Sequence, residues 1–227
     1  MDIKLNYVEM GEGFPLVMLH GNGEDHTYFN HQMEPFSQRF RLIIPETRGH
    51  GGSPRGTAPF TLAQFAEDLK AFLDGLGITK CHLLGFSDGG NIATLFALKY
   101  PQYVEKLILN GSNLEPSGIN QDFQDSAGER WAQLQKQSPL EGAELQEWEL
   151  LDLMVTQPHI DPKSLSALTM PVLVLVGEQD VIQKDHTRLI AASIPGSKLT
   201  ILPGDHFIAH ENWQAYNPVV LEFLENA

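Results

Sequence analysis

A serine with glycines two residues to either side, Gly85-Phe86-Ser87-Asp88-Gly89, is the first feature of this chain that could carry chemistry. A serine hydroxyl is too weakly acidic to attack a carbonyl unaided. It needs a base within hydrogen-bond reach, and that base needs a partner to orient it. A glycine-rich turn is the plainer reading of such a pentapeptide. What favours a nucleophile is context, because the pattern follows one predicted strand and precedes one predicted helix. On so sharp a turn the serine backbone is strained, and side chains at the two glycine positions would clash. The helix N-terminus behind the serine then favours developing negative charge.

Those residues need a scaffold. Short apolar runs at 16–19, 42–44, 81–84, 106–110, 172–176 and 198–202 read as strands, and 3–9 alternates like one. Continuous aliphatic runs suit a mostly parallel sheet covered on both faces. Helical spacing fills the intervals. At 61–76, Leu62, Phe65, Ala66, Leu69, Phe72, Leu73 and Leu76 mark one face, with Thr61 as cap. Helices are also expected at 91–100, 186–193 and 218–225. The alternation predicts an α/β fold with a doubly wound sheet. Between 110 and 170 no strand pattern appears. Two helices, near 122–137 and 140–155, are expected there as a short cap inserted before the penultimate strand. The chain then reads as one domain, with a core of 1–111 and 169–227 and a cap of about 112–168.

With the elbow and its flanking elements, the chain resembles the α/β-hydrolase family from end to end. His20-Gly21-Asn22-Gly23 is similar to the family's oxyanion loop, and Arg48-Gly49-His50-Gly51-Gly52-Ser53 to its R-G-x-G-x-S loop. Gly204-Asp205-His206-Phe207 resembles the loop that carries its histidine. The Ser-Asp-Gly-Gly elbow is similar to that of biphenyl-hydrolase-like members. Glu46 stands where many relatives have Asp. The resemblance implies that the chain begins at the family's second strand and lacks the first, antiparallel one.

The same resemblance implies an acid after the strand that follows the cap, in Gly177-Glu178-Gln179-Asp180. Asp180 is the choice over a turn aspartate bonding its own backbone. The other position used by relatives reads Asn110-Gly111-Ser112-Asn113 and holds no carboxylate. The base is His206, inside the glycine-containing loop, rather than His210 one helical turn later. Ser87, Asp180 and His206 follow the family's triad order. Backbone N–H groups of Asn22 and Asp88 are the expected oxyanion donors. Trp131, Leu134, Trp148, Leu151 and Met154 are the expected apolar pocket lining, with anchoring of the cap to the sheet as the alternative role for the same side chains. The Asp88 carboxylate is expected near the pocket mouth; a helix-start role favoured by the dipole is the plainer reading, and attraction of a cation such as the ammonium of an amino-acid ester is the sharper one.

Composition narrows the function. A net charge of −14 argues against nucleic acid. One cysteine, Cys81, excludes an internal disulfide and reads as a packed side chain. His20 and His50 are expected to brace their loops. His26, His31, His82, His159 and His186 read as surface or satisfied core histidines, so no metal is expected. No phosphate-cradling glycine motif appears, and no cofactor is expected. No leader or membrane-spanning run is visible, so a cytoplasmic protein acting on a small molecule is expected. Serine in the elbow speaks against dehalogenases and epoxide hydrolases, which use aspartate there. Ester hydrolysis is the first reading; thioesters, lactones, amides and carbon–carbon bonds stay open. A receptor of the same fold and an acyltransferase are the rival classes.

Overall fold

The computed structural model describes residues 2–137 and 139–226. Seven strands form one sheet: β1 (Tyr7–Met10), β2 (Pro15–Leu19), β3 (Arg41–Pro45), β4 (Cys81–Phe86), β5 (Val104–Asn110), β6 (Val172–Gly177) and β7 (Lys198–Leu202). Their order is β1-β3-β2-β4-β5-β6-β7. All neighbours pair in parallel except β1, which runs antiparallel to β3 with Tyr7 opposite Pro45. The sheet therefore keeps an antiparallel edge strand, and it is the first strand of this chain. β1 is shorter than the alternation suggested, because the residues before it leave the ladder.

Strand residues alternate between two cores. Val17, Leu19, Leu107, Leu109 and Val174 face one side; Leu16, Met18, Ile108, Leu173 and Leu175 face the other. Both faces are apolar because both are covered. The first is packed by α2 (Leu62–Gly75), α3 (Asp88–Lys99) and α6 (Lys184–Ser193). The second is packed by α1 (Asn30–Ser37) and α8 (Trp213–Glu225). The Thr61 side chain accepts the Gln64 N–H, as its cap position predicts.

Two helices sit between β5 and β6: α4 (Gln121–Gln135) and α5 (Gly142–Thr156). Paired hydrogen bonds from Arg130 to Glu147, and one from Trp131 Nε1 to Asp152, hold them together. The Arg55–Glu149 pair ties α5 to the loop after β3. Helix α1 escaped the sequence reading, since it carries Pro35 and buries only Gln32 and Phe36. So did the four-residue α7 (Ile208–Glu211). Helix α8 starts at Trp213, with Pro218 inside it rather than at its start. Among the described residues no helix is long and apolar enough to cross a membrane.

Candidate active site

The sheet delivers Ser87 at the junction of β4 and α3. Its φ of 52° and ψ of −119° make it the one non-glycine with positive φ among the described residues. Such backbone is costly for a side chain and persists only where the surroundings enforce it. The flanking glycines show how. A Cβ on Gly85 would lie 2.2 Å from the Gly89 carbonyl oxygen, and one on Gly89 would lie 2.3 Å from that of Leu19. Only hydrogen fits at both.

His206 reaches this serine from the loop after β7. The Ser87 hydroxyl lies 3.1 Å from His206 Nε2, and His206 Nδ1 lies 2.7 Å from Asp180 Oδ1. Asp180 stands in the turn after β6, where the same oxygen accepts the Ile182 N–H at 2.9 Å. Its side chain is 1% exposed and that of His206 11%. Gly111, at φ +59°, makes room for the pair, since a Cβ there would sit 2.9 Å from His206 Cε1. His210 is exposed and lies beside His31 instead, with ring centroids 5.2 Å apart.

The loop after β2 faces the elbow. His20 Nδ1–H donates to the Gly21 carbonyl at 2.8 Å, and its Nε2 accepts the Thr47 N–H at 3.0 Å. That pattern fixes the neutral tautomer, and burial holds the His20 pKa down to about 4. His50 is lowered for the same reason. The Asn22 side-chain amide donates to Asp88 Oδ2 at 2.9 Å and to the Leu150 carbonyl at 3.0 Å. Asp88 Oδ1 accepts from the Asn91 amide at 3.3 Å. Both Asp88 oxygens are thus engaged by asparagines, and burial raises its pKa. The carboxylate still lines the cavity, but it is tied down rather than free at a mouth.

Two anchors eluded the sequence. Arg48 is fully buried, gripping Asp68 with two hydrogen bonds of 2.7 and 2.8 Å and also reaching Asp2. Glu46 accepts from Asn6, from the Gly52 N–H and from His26. His26 is therefore a loop brace. Asp25, His26 and Glu46 place ligand-type atoms within 4.8 Å of one another, but the Glu46 oxygens are already satisfied by these protein donors.

Ser87 opens into a cavity of about 140 Å³ shared by His206, Asn22 and Asp88. Its apolar walls include Ile119, Phe123, Met154 and Ile182, with Phe86, Val181 and Phe207. A slot of about 60 Å³ continues from Ile119, Phe123 and Met154 to Ala127 and Val155. This corrects the expected lining. Of the five residues named from sequence, only Met154 reaches the cavity. Leu134 is wholly buried, Trp131 joins α4 to α5 through Asp152, and Trp148 and Leu151 do not line it either. Phe123 occupies the first turn of α4, where helical periodicity says nothing about which way the cavity lies.

The profile of a family described as alpha/beta hydrolase fold matches residues 15–146. An uncharacterized protein of Mycobacterium tuberculosis is 33% identical over 112 residues, which are 49% of this chain and 32% of that one. The chain thus spans about a third of that relative's length. Serine hydrolase BPHL of Mus musculus is 28% identical over 98% of this chain and 84% of its own. Among solved structures, a thermophilic esterase from Thermogutta terrifontis superposes with a TM-score of 0.83 at 25% identity, covering 98% of this chain and 93% of that one.

Proposed function

Because the chain belongs to the alpha/beta hydrolase fold family, we propose that it is a serine hydrolase that cleaves a small carboxylic ester through an acyl-enzyme. The observation that carries this reading is the unbroken hydrogen-bonded line from Ser87 through His206 to a buried Asp180. His206 takes the Ser87 proton as Oγ attacks the ester carbonyl carbon. Asp180 holds the Nδ1–H tautomer and stabilises the imidazolium that forms. The carbonyl oxygen, now negative, is received by the N–H groups of Asn22 and Asp88. Removing one such donor typically costs about 3–4 kcal/mol of barrier. The imidazolium returns its proton to the leaving oxygen as the carbon–oxygen bond breaks. Water, deprotonated by His206, then cleaves the acyl-enzyme and regenerates Ser87.

Serine rather than aspartate in the elbow favours acyl transfer over an alkyl-enzyme route. The cavity of about 140 Å³ favours a compact acyl group, with the slot beside Phe123 taking a short apolar tail. The serine hydrolase and the esterase among the similar proteins agree with this chemistry. Turnover of a p-nitrophenyl acetate panel tests it. Wild type should hydrolyse the short esters, and Ser87→Ala should lose turnover by a factor of about 10³ or more. Equal rates in both proteins would overturn the proposal.

A further inference from the structure

Glu24 is a carboxyl group that the mechanism does not use, and it borders two cavities. It lines the Ser87 cavity and also an open groove of about 410 Å³ bounded by Asp25, Asn30, Phe207 and His210. Phe207 is the other wall common to both, and the residue is 43% exposed. Glu24 Oε2 accepts the Gly21 N–H at 3.0 Å, which leaves Oε1 for another donor. No Lys or Arg lines either space among the described residues. We propose that Glu24, with the face of Phe207, forms a subsite for a cationic leaving group, an amino alcohol or its quaternary ammonium analogue.

The placement follows from the proton path. His206 must hand its proton to the departing oxygen, so the leaving group lies against His206. Phe86 and Phe207 flank that imidazole, with ring centroids 4.8 and 5.6 Å away, so the exit on this side runs past Phe207 and Glu24 into the groove. A carboxylate and an exposed aromatic face together suit an alkylammonium. The chemistry of the pocket agrees. Burial lifts the Glu24 pKa to about 7, although the nearby His206 pulls it down. Asp25 adds to the rise. Tyr28 and His210 face the groove, and Asp88 faces the cavity, so none of these neighbours supplies a permanent cation. A bound ammonium would supply it and would itself favour ionised Glu24.

This inference rests on the ester-hydrolase reading. The test compares acetylcholine with 3,3-dimethylbutyl acetate, which replaces the ammonium by neutral carbon at the same shape. At pH 8 the cationic ester should be preferred about tenfold in kcat/KM, as a partly desolvated ion pair allows. The preference should shrink severalfold at pH 6, where Glu24 is mostly protonated. Glu24→Gln should bring the ratio to about one at both pH values, and free choline should cease to inhibit. The folded state of the variant is checked at pH 8 by its Tm. That Tm should not fall, because a raised carboxyl pKa lowers stability as pH climbs from about 4.5 to about 7. A wild-type ratio near one, or a preference that survives Glu24→Gln, would overturn the subsite while leaving the hydrolase reading intact. Failure of wild type on p-nitrophenyl acetate as well as on both esters would remove the reading beneath it, whereas turnover of p-nitrophenyl acetate but of neither ester would overturn the subsite alone.

Discussion

Asp88 carries two tasks at a single position. Its N–H is a proposed oxyanion donor, and its carboxylate holds the Asn22 amide. Asn22 is the other proposed donor, so the two halves of the oxyanion site are strapped side chain to side chain. With both carboxylate oxygens occupied, the strap outweighs recognition of a substrate ammonium in the acyl group. Asp88→Asn should therefore slow neutral and amino-acid esters alike, by about three- to tenfold, the worth of one hydrogen bond of ~0.5–1.5 kcal/mol. Paired kcat/KM values decide it, and a loss confined to the amino-acid esters would restore the recognition role. The chemistry-bearing residues were legible because glycine leaves a mark. Gly85 and Gly89 announce an elbow, and Gly204 singles out His206 over His210. That Asp88 holds Asn22 was not legible, since a partner 66 residues away in the chain leaves no local pattern.

The pair α4 and α5 shows what periodicity can and cannot give. Both helices were expected where the strand pattern stops, yet their sequences do not say which side chains face the cavity: α4 buries Ala127 and Leu134, and α5 buries Leu153. Trp131 bridges the two helices, Leu134 is wholly buried, and Phe123, at the helix start, belongs to the cavity. The two groups should separate in experiment. Phe123→Ala should move chain-length preference toward longer acyl esters, because it joins the cavity to the slot that ends at Ala127 and Val155. Trp131→Ala should instead lower Tm by ~4 °C or more, with little change in the ratio of butyrate to acetate turnover. The reverse pattern would return Trp131 to the pocket. Helix α1 was missed for a related reason: Pro35 and two buried side chains in eight residues give no stripe to read.

At the scale of the whole molecule, the loops around the sheet's active edge are held by buried polar groups that only the fold assembles. Arg48 on Asp68 is one such pair, and neutral His20 is another anchor. His20 makes stability depend on pH with a definite sign. Its folded pKa of about 4 lies below the ordinary value of 6.5, so the unfolded chain binds the extra proton first. The contribution is intact above about pH 6.5 and is lost as pH falls toward 4. Its size is about 3 kcal/mol, since each tenfold change in proton affinity is worth about 1.4 kcal/mol. Urea unfolding at pH 7 and pH 4.5 should show His20→Gln losing less stability on acidification than wild type. Parallel losses would mean that His20 is not the acid-sensitive brace. Glu24 works in the opposite direction over pH 4.5–7, so the comparison belongs between variants rather than within one curve.

The whole mechanism turns on Ser87 Oγ being the atom that becomes acylated. The most direct measurement is covalent trapping with a fluorophosphonate, read by intact mass and peptide mapping. The expected result is one phosphonyl adduct per chain, on Ser87, formed as ester turnover disappears. It should be absent in Ser87→Ala and slowed by orders of magnitude in His206→Ala, because Oγ then has no base. An adduct on another residue, or ester turnover that persists in a fully labelled protein, would contradict the mechanism.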